Sequence, residues 1–154
     1  MGNRTLVVGQ SGGATAVTNA TLAGIVSAAQ RAGFSRILGM RHGMHGLLQH
    51  QFHDLTALSA ETLDQLSMTP SAALGTARLN ISDDQLGSAS DTLAGLDCQD
   101  LILIGGNDSA DTALRLHQVD PNVRVILAPK TVDNDLPGTD HCPGFSSAAA
   151  FRSP

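Results

Sequence analysis

Tryptophan and tyrosine are absent from the 154 residues and phenylalanine occurs four times, so a core must be built from Ala, Val, Ile and Leu, which with the other apolar types make up 42% of the chain. That palette suits helices packed on a sheet, and one domain of this length buries roughly two thirds of its unfolded surface. Cysteine is scarce too: Cys98 and Cys142 lie far apart and outside any C-x-x-C. This argues against a disulfide framework or thiolate zinc site and for reduced thiols in a cytoplasmic setting. Lys and Arg number nine against 14 acids, a net charge of -5, and form no run. An anionic polymer or membrane surface therefore finds no electrostatic footprint, and the expected partner is a small polar metabolite rather than nucleic acid or membrane. No apolar run reaches the ~18 residues of a membrane span, and the N-terminus lacks the basic and apolar regions of a signal peptide. Leu6 stands where a myristoylation signal needs Ser or Thr.

Short apolar runs alternate with helical periods. "TLVVG" (5–9) reads as a strand buried on both faces, followed by "QSGGA" and by a helix from Thr15 with Val17, Leu22, Ile25, Val26 and Ala29 on its buried stripe and Gly33 at its end. "RILGM" (36–40) is the second strand. The stretch from Arg41 to Leu58 mixes Gly, His and Leu without a clean period and reads as loop plus a short element. Ser59 caps a helix to about Met68, which Thr69-Pro70 ends. "SDDQ" (82–85) is a capping box opening a helix to about Leu96, with Leu86, Leu93 and Leu96 inward. "LILIGG" (101–106) is the strongest strand, a helix follows from Ser109 to Val119, "VRVILA" (123–128) is the next strand, and "GFSSAAAFRSP" starts a further helix.

Alternating strands and helices predict an α/β fold: a Rossmann-like three-layer sandwich with a mainly parallel sheet. In such a sheet the segments after each strand emerge at one carboxyl edge. "QSGGA", "GGNDSAD" and "PKTVDND" are therefore expected side by side.

These three loops carry the chemistry, and each admits a plainer reading. Gly12 and Gly13 before a helix suit an anion held by backbone N–H groups, or simply tight packing, since the segment is neither G-x-G-x-x-G nor a P-loop. Asn107 and Asp108 offer oxygens of the kind Mg²⁺ accepts, while Asp108 or Ser109 can equally cap the helix. In "PKTVDNDLPGTD", Asp133 and Asp135 alternate across Asn134, so an extended backbone puts both carboxylates on one side. Pro137-Gly138 suits a type II turn bringing Asp140 and His141 back toward the site, and Lys130 suits phosphate oxygens. A solvated acidic turn is the alternative. The pairs His42/His45 and His50/His53 lack the glutamate of a zinc protease and read as loop residues, His117 and His141 as ordinary surface and turn residues, and Met40, Met44 and Met68 as core filler.

"SGGATAVTN", "PSAALGTARLN", "IGGNDSADTA" and "PKTVDNDLPGTDHCPGF", in this order and spacing, resemble the N-terminal part of 6-phosphofructokinases, over nearly all of the chain. The resemblance implies a truncated phosphofructokinase fold in which residues 1–154 form the N-terminal domain and a second lobe, with the main anchors of the sugar phosphate, is absent. It implies Asp133 as the general base toward the 1-hydroxyl of fructose 6-phosphate, with Thr131, Val132 and Asp135 on the sugar side. It also implies Gly13, Arg78, Gly106 and Ser109 at the donor phosphate, Asn107 where the family usually has a Mg²⁺-binding aspartate, and a homo-oligomer in the full-length family. Asp108 and Lys130 are similar to the pyrophosphate-dependent branch, whereas members using ATP usually carry glycine at both places. Pyrophosphate is thus the expected donor. An ATP-using kinase and a noncatalytic phosphometabolite-binding module are the rival readings.

Overall fold

The structure, a computed structural model, describes residues 4–152 apart from 78 and 80. Its elements in chain order are β1 (Thr5–Gln10), α1 (Thr18–Arg31), β2 (Arg36–Met40), α2 (Met44–Leu48), β3 (Phe52–Asp54), α3 (Ala60–Met68), α4 (Asp83–Gly95), β4 (Cys98–Gly105), α5 (Asn107–Val119), β5 (Arg124–Pro129) and α6 (Phe145–Arg152). The five strands form one sheet in the order β3-β2-β1-β4-β5. Every neighbouring pair is parallel except β2 with β3. The antiparallel β3 is short enough to return through α2 without a crossover helix.

All six residues of β1 are buried, as its uninterrupted apolar run requires. Their alternation divides the core: Leu6 and Val8 face α1 and α3 with Leu22, Val26 and Leu63, whereas Val7 faces α2, α4 and α5 with Leu47, Leu86, Leu93 and Leu116. The result is a three-layer α/β/α sandwich whose two apolar layers meet only through the sheet.

The helix ends follow from local chemistry. Ser82 Oγ accepts the Gln85 N–H at 3.4 Å and Gln85 Oε1 accepts the Ser82 N–H at 3.0 Å, closing the capping box of α4. Ser59 caps α3 through the Thr62 N–H at 3.1 Å, and Gly33, at φ +76°, closes α1.

Several boundaries differ from those read in the sequence. The stretch after β2 is ordered as α2 and β3, because Gly46 sits so close to Arg41 that a Cβ would lie 2.0 Å from its carbonyl oxygen, a fit that residue-type periodicity does not show. β4 begins at Cys98, three residues earlier than its apolar run, through pairing with β1 and β5. α1 starts at Thr18 rather than Thr15, since Thr15 to Thr18 form a turn, closed by the Thr18 N–H on the Thr15 carbonyl at 3.4 Å, in which the Thr15 and Thr18 hydroxyls meet at 2.9 Å. Met68 is not core filler: it ends α3 at 84% exposure, one position past the buried face.

Candidate active site

The chain runs from β1 to β2 on one side and returns to β4 on the other, so the crevice between the carboxyl ends of β1 and β4 is the topological switch point of the sheet. A cleft of about 680 Å³ opens there. Its walls come from the turn after β1 (Ser11 to Thr15), the start of α5 (Gly106 to Ser109), the segment after β5 (Lys130 to Asp133), Gly43 and Met44 at the start of α2, and Ala77 and Leu79.

Backbone hydrogen bonds carry the sheet into these loops. Ser11 N–H donates to the Ile104 carbonyl at 2.8 Å, and Lys130 N–H to the Gly105 carbonyl at 2.9 Å, so the three segments leave the sheet in register. Gly12 has φ +73°, a conformation an L side chain resists, and a Cβ there would lie 3.1 Å from Lys130 Nζ. At Gly105 a Cβ would lie 2.1 Å from Ser109 Oγ, so the strand-to-helix turn closes only over glycine.

Helix α5 starts at Asn107, two residues before the position expected from the sequence, with Gly106 as its N-cap and no side-chain cap. Neither Asp108 nor Ser109 is therefore the cap; both lie in the first turn. Asn107 Oδ1 accepts the Asp108 N–H at 2.9 Å, while the uncapped N-terminus presents its positive end to the cleft. By contrast, Gly12 and Gly13 stand apart from the start of α1 and draw less on that helix's dipole.

Lys130 is 5% exposed. Its ammonium donates to the Gly13 carbonyl at 2.6 Å, so the buried cation bridges the diglycine turn and the β5 loop. Thr131 is buried, and its hydroxyl accepts the Asp133 N–H at 3.2 Å, turning the backbone so that Asp133 is exposed at the cleft wall.

Gly13, Gly106, Asn107, Asp108, Ser109, Lys130, Thr131, Val132 and Asp133 thus share one cleft. Asp135 lies outside its lining, and Arg78 falls outside the described residues. The extended geometry expected for Asp133 and Asp135 does not hold. Asn134 adopts φ +54° while its side chain donates to the Asp140 carbonyl at 3.2 Å and accepts the Cys142 N–H at 2.7 Å. These local hydrogen bonds favour the left-handed bend over strand geometry. Gly138 at φ +79° completes a turn between Leu136 and Thr139, but His141 bonds to Ser146 Oγ and packs edge-on against Phe145 instead of reaching the cleft.

Sequence reasoning missed Asp111 and Thr112, which line the cleft from the next turn of α5. The spacing of Asp111 from Asp108, three positions on one helix face, is the signal that could have found it.

The cleft carries three carboxylates, Asp108, Asp111 and Asp133, against the Lys130 ammonium. A polyphosphate would be repelled by such a wall unless a divalent cation came with it. Among the described residues no three acidic, histidine or cysteine side chains gather to cage an ion. Oxygen donors that are few and spread out are what Mg²⁺ takes when phosphates and water complete its shell. The residues present therefore fit Mg²⁺ bound together with a phosphate ligand.

The sequence model of the family described as Phosphofructokinase matches residues 5–152. The chain belongs to the phosphofructokinase family. Among phosphofructokinase-family relatives, it is 39% identical to a pyrophosphate–fructose 6-phosphate 1-phosphotransferase of Xanthomonas campestris pv. campestris (strain B100), a match covering 99% of this chain and 38% of the relative. It is 34% identical to an ATP-dependent 6-phosphofructokinase of Corynebacterium efficiens, covering 99% of this chain and 44% of that one. The crystal structure of a pyrophosphate-dependent phosphofructokinase from Nitrosospira multiformis superposes with a TM-score of 0.88 at 37% identity, over 96% of this chain and 38% of that one. The chain thus spans less than half the length of these phosphofructokinases.

Proposed function

We propose that this chain forms the phosphoryl-donor side of a pyrophosphate-dependent 6-phosphofructokinase, acting on pyrophosphate and fructose 6-phosphate with Mg²⁺. The observation that carries the reading is the shared cleft of Gly13, Asp108, Lys130 and Asp133, with the Lys130 ammonium buried against the diglycine turn. A compact point charge suits the small leaving phosphate, and the Asp108 carboxylate in the same cleft crowds and repels the additional phosphate of a nucleotide. The 39% identity to the Xanthomonas enzyme, against 34% to the ATP-dependent one, supports the same choice.

In the proposed reaction Asp133 accepts the proton of the sugar 1-hydroxyl as that oxygen bonds to one phosphorus of pyrophosphate. The bridging P–O bond breaks, giving fructose 1,6-bisphosphate and phosphate. General-base help of this kind is worth roughly 10²- to 10⁴-fold in rate. The Lys130 ammonium and Arg78 offset charge on the donor, while the Gly13 and Gly106 backbone, the Ser109 hydroxyl and the α5 N-terminus orient it. Thr131, Val132 and Asp135 serve the sugar side. Asn107, together with the donor phosphates and water, would hold Mg²⁺, which when bound neutralises phosphate charge. The chain spans 38% of the Xanthomonas relative's length, and the remaining sugar-phosphate contacts are assigned to the part of the fold outside the match.

The test is a chimera joining residues 1–152 to the remainder of the Xanthomonas relative, in a coupled assay for fructose 1,6-bisphosphate. Turnover with pyrophosphate and Mg²⁺, lost in Asp133→Asn, supports the reading. Turnover that prefers ATP contradicts it.

A further inference from the structure

Beneath the cleft, Gln10 and Asn19 are 0% and 1% exposed and bonded to each other. Gln10 Nε2 donates to Asn19 Oδ1 at 3.0 Å and to the Thr18 carbonyl at 3.3 Å, and Gln10 Oε1 accepts the Leu74 N–H at 2.9 Å. Asn19 Nδ2 donates to the carbonyls of Thr69 at 2.9 Å and Pro70 at 3.5 Å, and Asn19 Oδ1 accepts the Ala73 N–H at 2.7 Å. Both amides thus use their N–H groups and their oxygen. Flipping either one would set oxygen against oxygen and N–H against N–H, so each orientation is fixed.

Apart from Thr18, which begins α1, the partners of this pair lie in a segment that belongs to no strand or helix. It bends at Ser71 (φ +89°) and Gly75 (φ +72°) before Ala77 and Leu79 reach the cleft. Gln10 itself ends β1 and leads directly into Ser11-Gly12-Gly13. Two arms of the cleft, about 60 residues apart in sequence, are therefore joined by side-chain amides where a sheet would use its ladder. A residue that only filled space here would be Leu or Met, and would leave the Ala73 and Leu74 N–H groups without these acceptors.

We propose that Gln10 and Asn19 are positioning residues: their paired amides hold residues 69–77 against the diglycine turn, so that both arms meet one phosphoryl donor. The donor part of this proposal rests on the reading given above; the tether does not.

The experiment uses the whole chain with Gln10→Met and Asn19→Ala. Ala73→Pro is added because it removes an N–H of the tether at an exposed position and leaves the core of β1 and α1 untouched. Hydrogen exchange read by mass spectrometry should rise at least roughly tenfold in peptides covering 69–77, with β4 peptides unchanged. Calorimetry with Mg²⁺ and pyrophosphate should show affinity falling roughly tenfold in the same variants. Exchange that stays at the wild-type level, or rises equally in β1 and β4, overturns the tether. Unchanged pyrophosphate affinity with a loosened segment overturns its link to the donor. A wild-type chain that ignores pyrophosphate overturns the donor part together with the functional reading, while the exchange pattern still decides the tether.

Discussion

Lys130 Nζ lies 2.6 Å from the carbonyl oxygen of Gly13, joining loops 117 residues apart. Charge-assisted hydrogen bonds are worth about 1.5–3 kcal/mol when lost, or roughly ten- to a hundredfold in binding. Lys130→Met keeps the aliphatic stem and removes the ammonium. It should weaken Mg²⁺-pyrophosphate binding by about that factor while leaving the circular dichroism spectrum unchanged; an affinity equal to wild type would remove Lys130 from the donor site.

Two glycines should respond oppositely to the same added methyl group. In Gly105→Ala the new Cβ meets Ser109 Oγ and Cβ, at 2.1 and 2.7 Å, and overpacking of that kind costs about 1–3 kcal/mol. Gly24, within α1, has no heavy atom within 4 Å of a built Cβ, and Gly24→Ala should gain roughly 0.5–1 kcal/mol from helix propensity. Urea midpoints of the two variants measure both signs, and a neutral Gly105→Ala would mean that the β4–α5 turn is looser than described.

Much of this architecture was readable because local signals agreed with one another. The apolar runs of β1 and β4, the Ser82–Gln85 box and the Ser59 cap each mark an element by its own residues. What escaped were features set by distant or backbone contacts: the Gly46–Arg41 approach that orders α2, the pairing that lengthens β4, and the buried Gln10–Asn19 pair, which looks like two ordinary amides in sequence. The site shows the same division. Gly13, Gly106, Asp108, Lys130 and Asp133 were visible from the carboxyl-edge rule, whereas Asp111 was not, and the left-handed bend at Asn134 depends on bonds to Asp140 and Cys142 and separates Asp133 from Asp135.

Cys98 offers a pH test away from the cleft. Burial pushes its thiol up from 9.0 to about 12, against the smaller opposing effect of backbone hydrogen bonding at Asp100 and Val7. A folded value above the unfolded one gives stability that is whole below about pH 9 and is lost as pH rises toward about 12. Wild type should therefore lose more urea stability than Cys98→Ala between about pH 8 and pH 11, and peptide mapping should find Cys98 unalkylated in the folded chain near pH 8. Identical pH curves for the two proteins would contradict the burial.

Whether the cleft at the β1/β4 switch point is built for pyrophosphate is read most directly by titration calorimetry with Mg²⁺-pyrophosphate and Mg²⁺-ATP on wild type and on the Asp108→Gly, Lys130→Gly double variant. Wild type should bind pyrophosphate more tightly than ATP, and the double variant should reverse the order. ATP bound more tightly by wild type, or a preference that the two substitutions leave in place, would contradict a cleft built for pyrophosphate.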